Sequence, residues 1–124
     1  MRRSYLVLGI ATLAVAGAVL AQDPPAKKTA PSGGAKPSAA AIARGKDVFE
    51  KRCALCHNAD SEEKKIGPGL KGLSKRGTFS VNNNKVTTEA LKTWIENGDS
   101  LMPPFKDVLE PAQISDVVTY VKTL

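Results

Sequence analysis

The only two cysteines and the only histidine of this 124-residue chain fall within five consecutive positions. They form the pentad Cys53-Ala54-Leu55-Cys56-His57. A C-x-x-C-H pentad is an attachment signal for haem c, because two thiols at this spacing can add across the two vinyl groups of one haem. His57 follows directly and can bind the iron through a ring nitrogen. The pentad therefore predicts one covalently bound haem c, attached through Cys53 and Cys56.

Three other chemistries use the same residue types. A thioredoxin-like redox pair also has C-x-x-C spacing, but it expects a strand–helix–strand setting, which this chain lacks. A structural zinc site takes four ligands, whereas the chain offers two thiols and one imidazole. A simple disulfide in an exported protein stays open, although it leaves the adjacent histidine unexplained. Haem attachment accounts for all three side chains at once.

Met102 is the second candidate iron ligand. There is no other histidine, and the remaining methionine, Met1, is lost if the N-terminal leader is removed. A lone methionine more often fills a core. Met102, however, is followed by Pro103 and Pro104, whose rigid backbone can hold the sulfur against the iron. Histidine plus methionine fills both axial positions, which favours an electron carrier over an enzyme.

The N-terminal residues predict export. Residues 1–21 are typical of a signal peptide, with Arg2 and Arg3 before an apolar stretch and a small residue at Ala21. The stretch is long for a signal and short for a membrane span, so retention as an N-terminal anchor is an alternative. Residues 22–38 are rich in Pro, Ala and Lys, which is typical of a flexible linker. We expect a periplasmic or otherwise extracytoplasmic protein with its folded domain at 39–124.

Helices must position the candidate ligands, and the pattern predicts three. The first begins after the N-cap Ser38. The second runs from about Thr88 to Asn97, with Thr87 or Thr88 as its N-cap, and ends at Gly98. The third starts at Pro111 and continues to the C-terminus. A short strand over 78–81 is considered, but nothing supports a sheet, so the fold class is all-α. The apolar faces comprise Ile42, Gly45, Phe49 and Cys53 in the first helix, Leu91, Trp94 and Ile95 in the second, and Ile114, Val117, Val118, Val121 and Leu124 in the third.

The charge distribution argues against nucleic-acid binding. The formal net charge is +6, yet residues 39–124 hold 13 Lys and Arg against 11 Asp and Glu. The two propionates of a haem would bring this domain close to neutral. The sequence shows no concentrated basic stripe with interleaved aromatic residues. We therefore expect redox proteins as partners, and membrane contact only if the N-terminal segment is retained.

Residues 41–124 resemble class I cytochrome c of the small bacterial kind. The resemblance implies a small cytochrome c fold, in which three main helices wrap around one covalently bound haem. The motifs that carry it are Gly45-x-x-x-Phe49-x-x-x-Cys53-x-x-Cys56-His57, Gly67-Pro68-Gly69-Leu70, Trp94-Ile95, Met102-Pro103-Pro104-Phe105 and Val117-x-x-Tyr120.

The resemblance also implies roles for individual residues. Gly45 and Phe49 of the first helix should meet Val117 and Tyr120 of the last, with the glycine allowing close approach. The carbonyl of Pro68 should accept a hydrogen bond from the second ring nitrogen of His57, which orients the ring. The haem pocket should be lined by Leu70, Trp94 and Ile95.

The function that follows is one-electron transfer between extracytoplasmic or membrane redox enzymes, by a monomer or a subunit of a redox complex. One alternative is a haem subunit permanently docked on a dehydrogenase or oxidase. Another is a low-level peroxidase, if Met102 leaves the iron. A cluster of cations is the hypothetical docking collar for an acidic partner, with an ordinary solvated surface as the alternative. The collar comprises Lys64, Lys65, Lys71, Lys75 and Arg76.

Overall fold

A computed structural model describes residues 36–124 and shows an all-α arrangement over that range. The predicted signal peptide at 1–21, and the predicted linker up to residue 35, lie outside the described residues. No helix within the described part has the length and apolar character that crossing a bilayer requires. The four helices in chain order are α1 (Ala39–Arg52), α2 (Leu73–Arg76), α3 (Thr88–Asn97) and α4 (Pro111–Val121).

Helix α1 packs closely on α4. It begins as predicted, with the Ser38 hydroxyl accepting from the Ala41 N–H at 3.2 Å. A Cβ added to Gly45 would overlap the backbone carbonyl of Asp116 and lie 2.8 Å from Cβ of Tyr120. The Phe49 and Tyr120 rings meet edge to face, with centroids 5.5 Å apart. The expected crossing of the first and last helices, with glycine at the contact, is confirmed.

A charged pair ties the same two helices together beside this contact. Arg44 donates from Nε and Nη2 to the two carboxylate oxygens of Asp116, at 2.6 and 3.0 Å. Hydrogen bonding to this carboxylate, together with its charge, raises the pKa of Arg44 above its ordinary value. The two hydrogen bonds of this pair add a specific contact between α1 and α4.

Helices α3 and α4 follow their predicted capping signals. The Thr87 hydroxyl accepts from the Ala90 N–H at 3.0 Å, and α3 ends at Gly98 as expected. A capping box joins Glu110 and Gln113 at the start of α4. Four of the five residues of the predicted apolar stripe are buried, and the fifth, Leu124, is half-buried. Helix α4 ends at Val121 rather than at the C-terminus, because the last residues close into a turn.

Helix α2 was not predicted. It is a single turn between two glycines in the left-handed region, Gly72 (φ 70°) and Gly77 (φ 72°). It buries Leu73, which is only 2% exposed. Beyond it, the strand considered at 78–81 is reduced within the described range to one isolated antiparallel bridge between Thr78 and Lys85.

Candidate functional site

A large apolar cavity lies where the end of α1 meets α3, α4 and the connecting loops. All eight predicted site residues line it: Cys53, Cys56, His57, Pro68, Leu70, Trp94, Ile95 and Met102. In residues 36–124, ten apolar side chains form the buried core. Six of those ten also line the cavity, namely Phe49, Leu73, Leu91, Ile95, Val117 and Val121. The core is therefore built around the cavity.

The cysteines and the histidine are presented to this cavity by a tight turn that continues α1. The N–H groups of Cys56 and His57 both donate to the Cys53 carbonyl, at 3.0 and 2.9 Å. The two sulfurs are not joined to each other, so the structure does not support the disulfide alternative. This turn brings two sulfurs and one imidazole to a common wall, as covalent haem attachment requires.

The surroundings of Cys53 suit an uncharged sulfur. Burial, and then the neighbouring Cys56, raise the pKa of the Cys53 thiol to about 11. The thiol is therefore protonated at neutral pH, because a thiolate would be poorly solvated there. A thioether bond to a cofactor removes the titrating proton and leaves a neutral sulfur in the same place.

His57 is held in one orientation from two sides. Its Nδ1 lies 2.8 Å from the Pro68 carbonyl oxygen, so the hydrogen bond expected from the resemblance is present. A carbonyl can only accept, so Nδ1 carries the proton and Nε2 keeps its lone pair for a metal. A Cβ on Gly67 would lie 2.8 Å from each ring nitrogen, so only glycine lets the backbone approach this closely.

Met102 is half-buried in the segment between α3 and α4 and lines the same cavity as His57. The segment is fixed to the end of α3, since Phe105 N–H donates to the Ile95 carbonyl at 3.0 Å. Within it, the N–H groups of Met102 and then Leu101 hold the pKa of the Asp99 carboxyl below its ordinary range. The thioether therefore sits on an ordered loop.

Three cationic side chains at the cavity were given no ligand role by the sequence analysis: Arg52, Lys64 and Arg76. The one sequence feature that could have indicated Arg52 is its position directly before the pentad. Arg76 was assigned to docking only, and its Nη1 donates to the Lys71 carbonyl at 3.3 Å. A haem carries two carboxylates beside its apolar ring. Apolar walls, two thiols, one imidazole and three cations therefore fit a haem c.

The model of the cytochrome c family matches residues 42–124. The chain belongs to the cytochrome c family. It is 35% identical over 77 residues to cytochrome c6 of Bryopsis maxima, which covers 62% of this chain and 84% of that protein. It is 35% identical over 85 residues to cytochrome c6 of a Nostoc strain, covering 67% and 70% of the two chains. With cytochrome c6 of a Synechocystis strain the identity is 32% over 87 residues, covering 67% and 65%.

This cytochrome c binds one haem c covalently through Cys53 and Cys56. It is an electron carrier and not an enzyme. The thioredoxin-like and zinc interpretations of the pentad are replaced by haem attachment.

The structure places the five cations of the predicted docking collar in different surroundings. Lys64 and Arg76 line the cavity. Lys65 folds over the pentad, its Nζ donating to the Ala54 carbonyl at 3.0 Å. Lys71 and Lys75 are exposed and do not line the cavity. Exposed apolar side chains accompany these cations near the site, among them Leu55 (81% exposed) within the pentad and Leu101 (76% exposed) next to Met102.

Proposed function

We propose that this cytochrome c is an exported one-electron carrier whose haem iron is bound by His57 and Met102. One observation carries the proposal: the imidazole with its free Nε2 and the only thioether of residues 36–124 line the same cavity as the two attachment thiols. The haem supplies a single iron centre that changes by one electron. Nitrogen and sulfur ligands together favour a raised reduction potential.

The protein's own residues would keep the structural change on electron transfer small. Pro68 fixes the imidazole, so the ring does not turn when the iron changes charge. Leu70, Trp94 and Ile95 provide apolar walls that exclude water from the cofactor. Arg52 and Arg76 supply charges that can neutralise the haem carboxylates.

Substitution of Met102 tests the axial assignment. Met102→Ala removes the sulfur, so we expect the ferric protein to lose the weak long-wavelength absorption band of iron bonded to thioether. We also expect a lower reduction potential, and carbon monoxide binding by the reduced protein at neutral pH. Leu101→Ala is the matched control, because its exposed side chain lies next to Met102 in the same loop. Covalent haem should survive acid-acetone extraction in both variants. Persistence of the band in Met102→Ala would show that Met102 is not the ligand.

Export is proposed from residues 1–21, with 22–38 as a linker and 39–124 as the folded domain. The mass of the protein purified from the periplasmic and the membrane fractions of its native cells tests this directly. A chain beginning at Gln22 supports cleavage, whereas an intact N-terminus in the membrane fraction would support the anchor.

The proposed partners are redox proteins that dock where exposed apolar and cationic side chains surround the site. Leu55 and Leu101 offer apolar contact, and Lys71 and Lys75 offer long-range attraction for an acidic surface. We propose a diffusing carrier. Co-elution with a dehydrogenase or oxidase on size-exclusion of native extract would instead indicate a permanent subunit.

A further inference from the structure

Asp99 holds the backbone of Met102 at both of its polar groups. The Asp99 carboxylate Oδ1 accepts from the Met102 N–H at 2.9 Å and from the Leu101 N–H at 2.8 Å. The Asp99 N–H in turn donates to the Met102 carbonyl at 2.8 Å. These three hydrogen bonds close residues 99–102 into a ring.

The loop offers few other ways to fix Met102. Pro103 and Pro104 restrict their own φ angles but carry no N–H, so neither can donate a hydrogen bond. Leu101 is 76% exposed and provides little packing. The Met102 side chain packs against the buried core, but it has three rotatable bonds, so the position of its sulfur also depends on its backbone. In this loop Asp99 engages the backbone N–H groups of Leu101 and Met102.

The ring is attached to a rigid element. Gly98 ends α3 with φ 65°, and a Cβ there would lie 2.7 Å from the Pro103 carbonyl carbon. The Lys106 N–H donates to the Glu96 carbonyl at 3.2 Å on the far side of the loop. Asp99 thus lies between the end of α3 and the Met102 backbone. Hydrogen bonds to a charged acceptor are stronger than neutral ones, which suits this position.

We infer that Asp99 is a positioning residue for the iron: its carboxylate fixes the Met102 backbone so that the thioether stays bound and outside ligands are kept off. The inference rests on the proposed ligation by His57 and Met102. It adds a function for an acidic residue that lines the same cavity as the attachment thiols and acts on the iron only through the Met102 backbone.

The test is the rate at which imidazole replaces the sulfur on ferric haem in the full holoprotein, followed by stopped-flow loss of the long-wavelength band. Asp99→Ala removes the acceptor and should speed replacement by about tenfold or more, from two lost hydrogen bonds. Asp99→Asn keeps an oxygen in the same place but gives weaker, uncharged hydrogen bonds, so its replacement rate should lie between those of wild type and Asp99→Ala. Asp99→Glu keeps the charge but moves the oxygen by one methylene, so it should behave more like Asp99→Ala.

Asp107→Ala is the matched control, since it removes an exposed aspartate from the same connection between α3 and α4. We expect a wild-type replacement rate for it.

If wild-type protein lacked the band, the ligation proposal itself would fail. If the band were present and Asp99→Ala exchanged at the wild-type rate, the inference about Asp99 alone would be wrong. Fast exchange in Asp99→Asn with slow exchange in Asp99→Glu would also overturn it, since charge and not position would then matter. The Asn and Glu variants keep a polar side chain at this surface and decide the question even if Asp99→Ala does not fold.

Discussion

At the scale of single residues, the histidine depends on a neighbour with no side chain. Gly67 lies against the His57 imidazole, which lines the cavity, and the Gly67 N–H donates to the Cys56 carbonyl at 2.8 Å. The Gly67 backbone is therefore hydrogen-bonded to the pentad and covalently joined to Pro68, whose carbonyl bonds His57. These bonds limit how far it can move away from the imidazole ring.

Gly67→Ala should therefore disturb iron ligation. The new Cβ would lie 2.8 Å from Nδ1 and Nε2 of His57, which must turn away from the Pro68 carbonyl. We expect a stability loss of about 1–3 kcal/mol, a lower reduction potential and an altered ferric spectrum. Potentiometry and thermal unfolding of the holoprotein measure these changes.

The control is Gly77→Ala. That glycine has φ 72° and nothing within 4 Å of an added Cβ. It should lose about 1–2 kcal/mol from left-handed strain with an unchanged spectrum. A wild-type spectrum and potential in Gly67→Ala would contradict the account of His57.

The sequence could indicate only some of the residues that line the cavity. Cys53, Cys56 and His57 were predictable because their spacing is specific. Met102 was a candidate because no other thioether remains in the domain, and its ligation of the iron stays a prediction. The bond from His57 to Pro68 came from the family resemblance. Asp99 carried no signal, because a lone aspartate in a loop gains its role from backbone N–H groups that only the folded loop brings within reach.

At the scale of helices, the crossing of α1 and α4 predicts the sign of the stability change caused by Gly45→Ala. Alanine has a higher helix propensity than glycine by about 1 kcal/mol, so propensity alone predicts that Gly45→Ala is stabilising. The structure predicts the reverse, because the new Cβ would overlap the Asp116 carbonyl and crowd Tyr120. We expect a net loss of about 1–3 kcal/mol in thermal unfolding.

Ala43→Gly calibrates that experiment. Ala43 is exposed on the same helix, so the substitution should cost about 1 kcal/mol from propensity alone. A higher melting temperature for Gly45→Ala than for wild type would mean that the two helices do not touch at this point.

Helix prediction succeeded where capping residues and periodicity agreed. Ser38, Thr87 and Pro111 marked the starts of α1, α3 and α4, and Gly98 marked the end of α3. Helix α2 was missed because a single turn is too short to show a period. The C-terminal end of α4 was placed too late, since apolar Leu124 continues the pattern after the helical hydrogen bonds have ended.

At the scale of the whole molecule, the core depends on its cofactor. Most of the buried apolar side chains of residues 36–124 face the cavity, so a chain without haem leaves them without a packing partner. We expect Cys53→Ser/Cys56→Ser to lose bound haem and cooperative thermal unfolding, measured by far-ultraviolet circular dichroism. Single variants, which retain one thioether, should be intermediate. A cooperative transition in the haem-free double variant would show that the protein core is sufficient alone.

The charges around the site predict salt-dependent encounter with an acidic partner. Electron transfer from a small acidic ferredoxin, followed by stopped flow, should slow as ionic strength rises. Lys75→Glu should lower the rate at low salt by roughly 2–10-fold. Lys46→Glu, in the middle of α1, should have a smaller effect. An electron-transfer rate that does not depend on ionic strength in the wild type would contradict the docking-collar hypothesis.

The most direct test of the central claim is X-ray absorption at the iron edge of the native protein in both oxidation states. The account predicts one sulfur and five nitrogen neighbours in each state, with His57 as the fifth nitrogen and Met102 as the sulfur. The sulfur should disappear in Met102→Ala. A wild-type iron without a sulfur neighbour, or one that gains or loses it with the electron, would contradict a carrier with both axial positions filled.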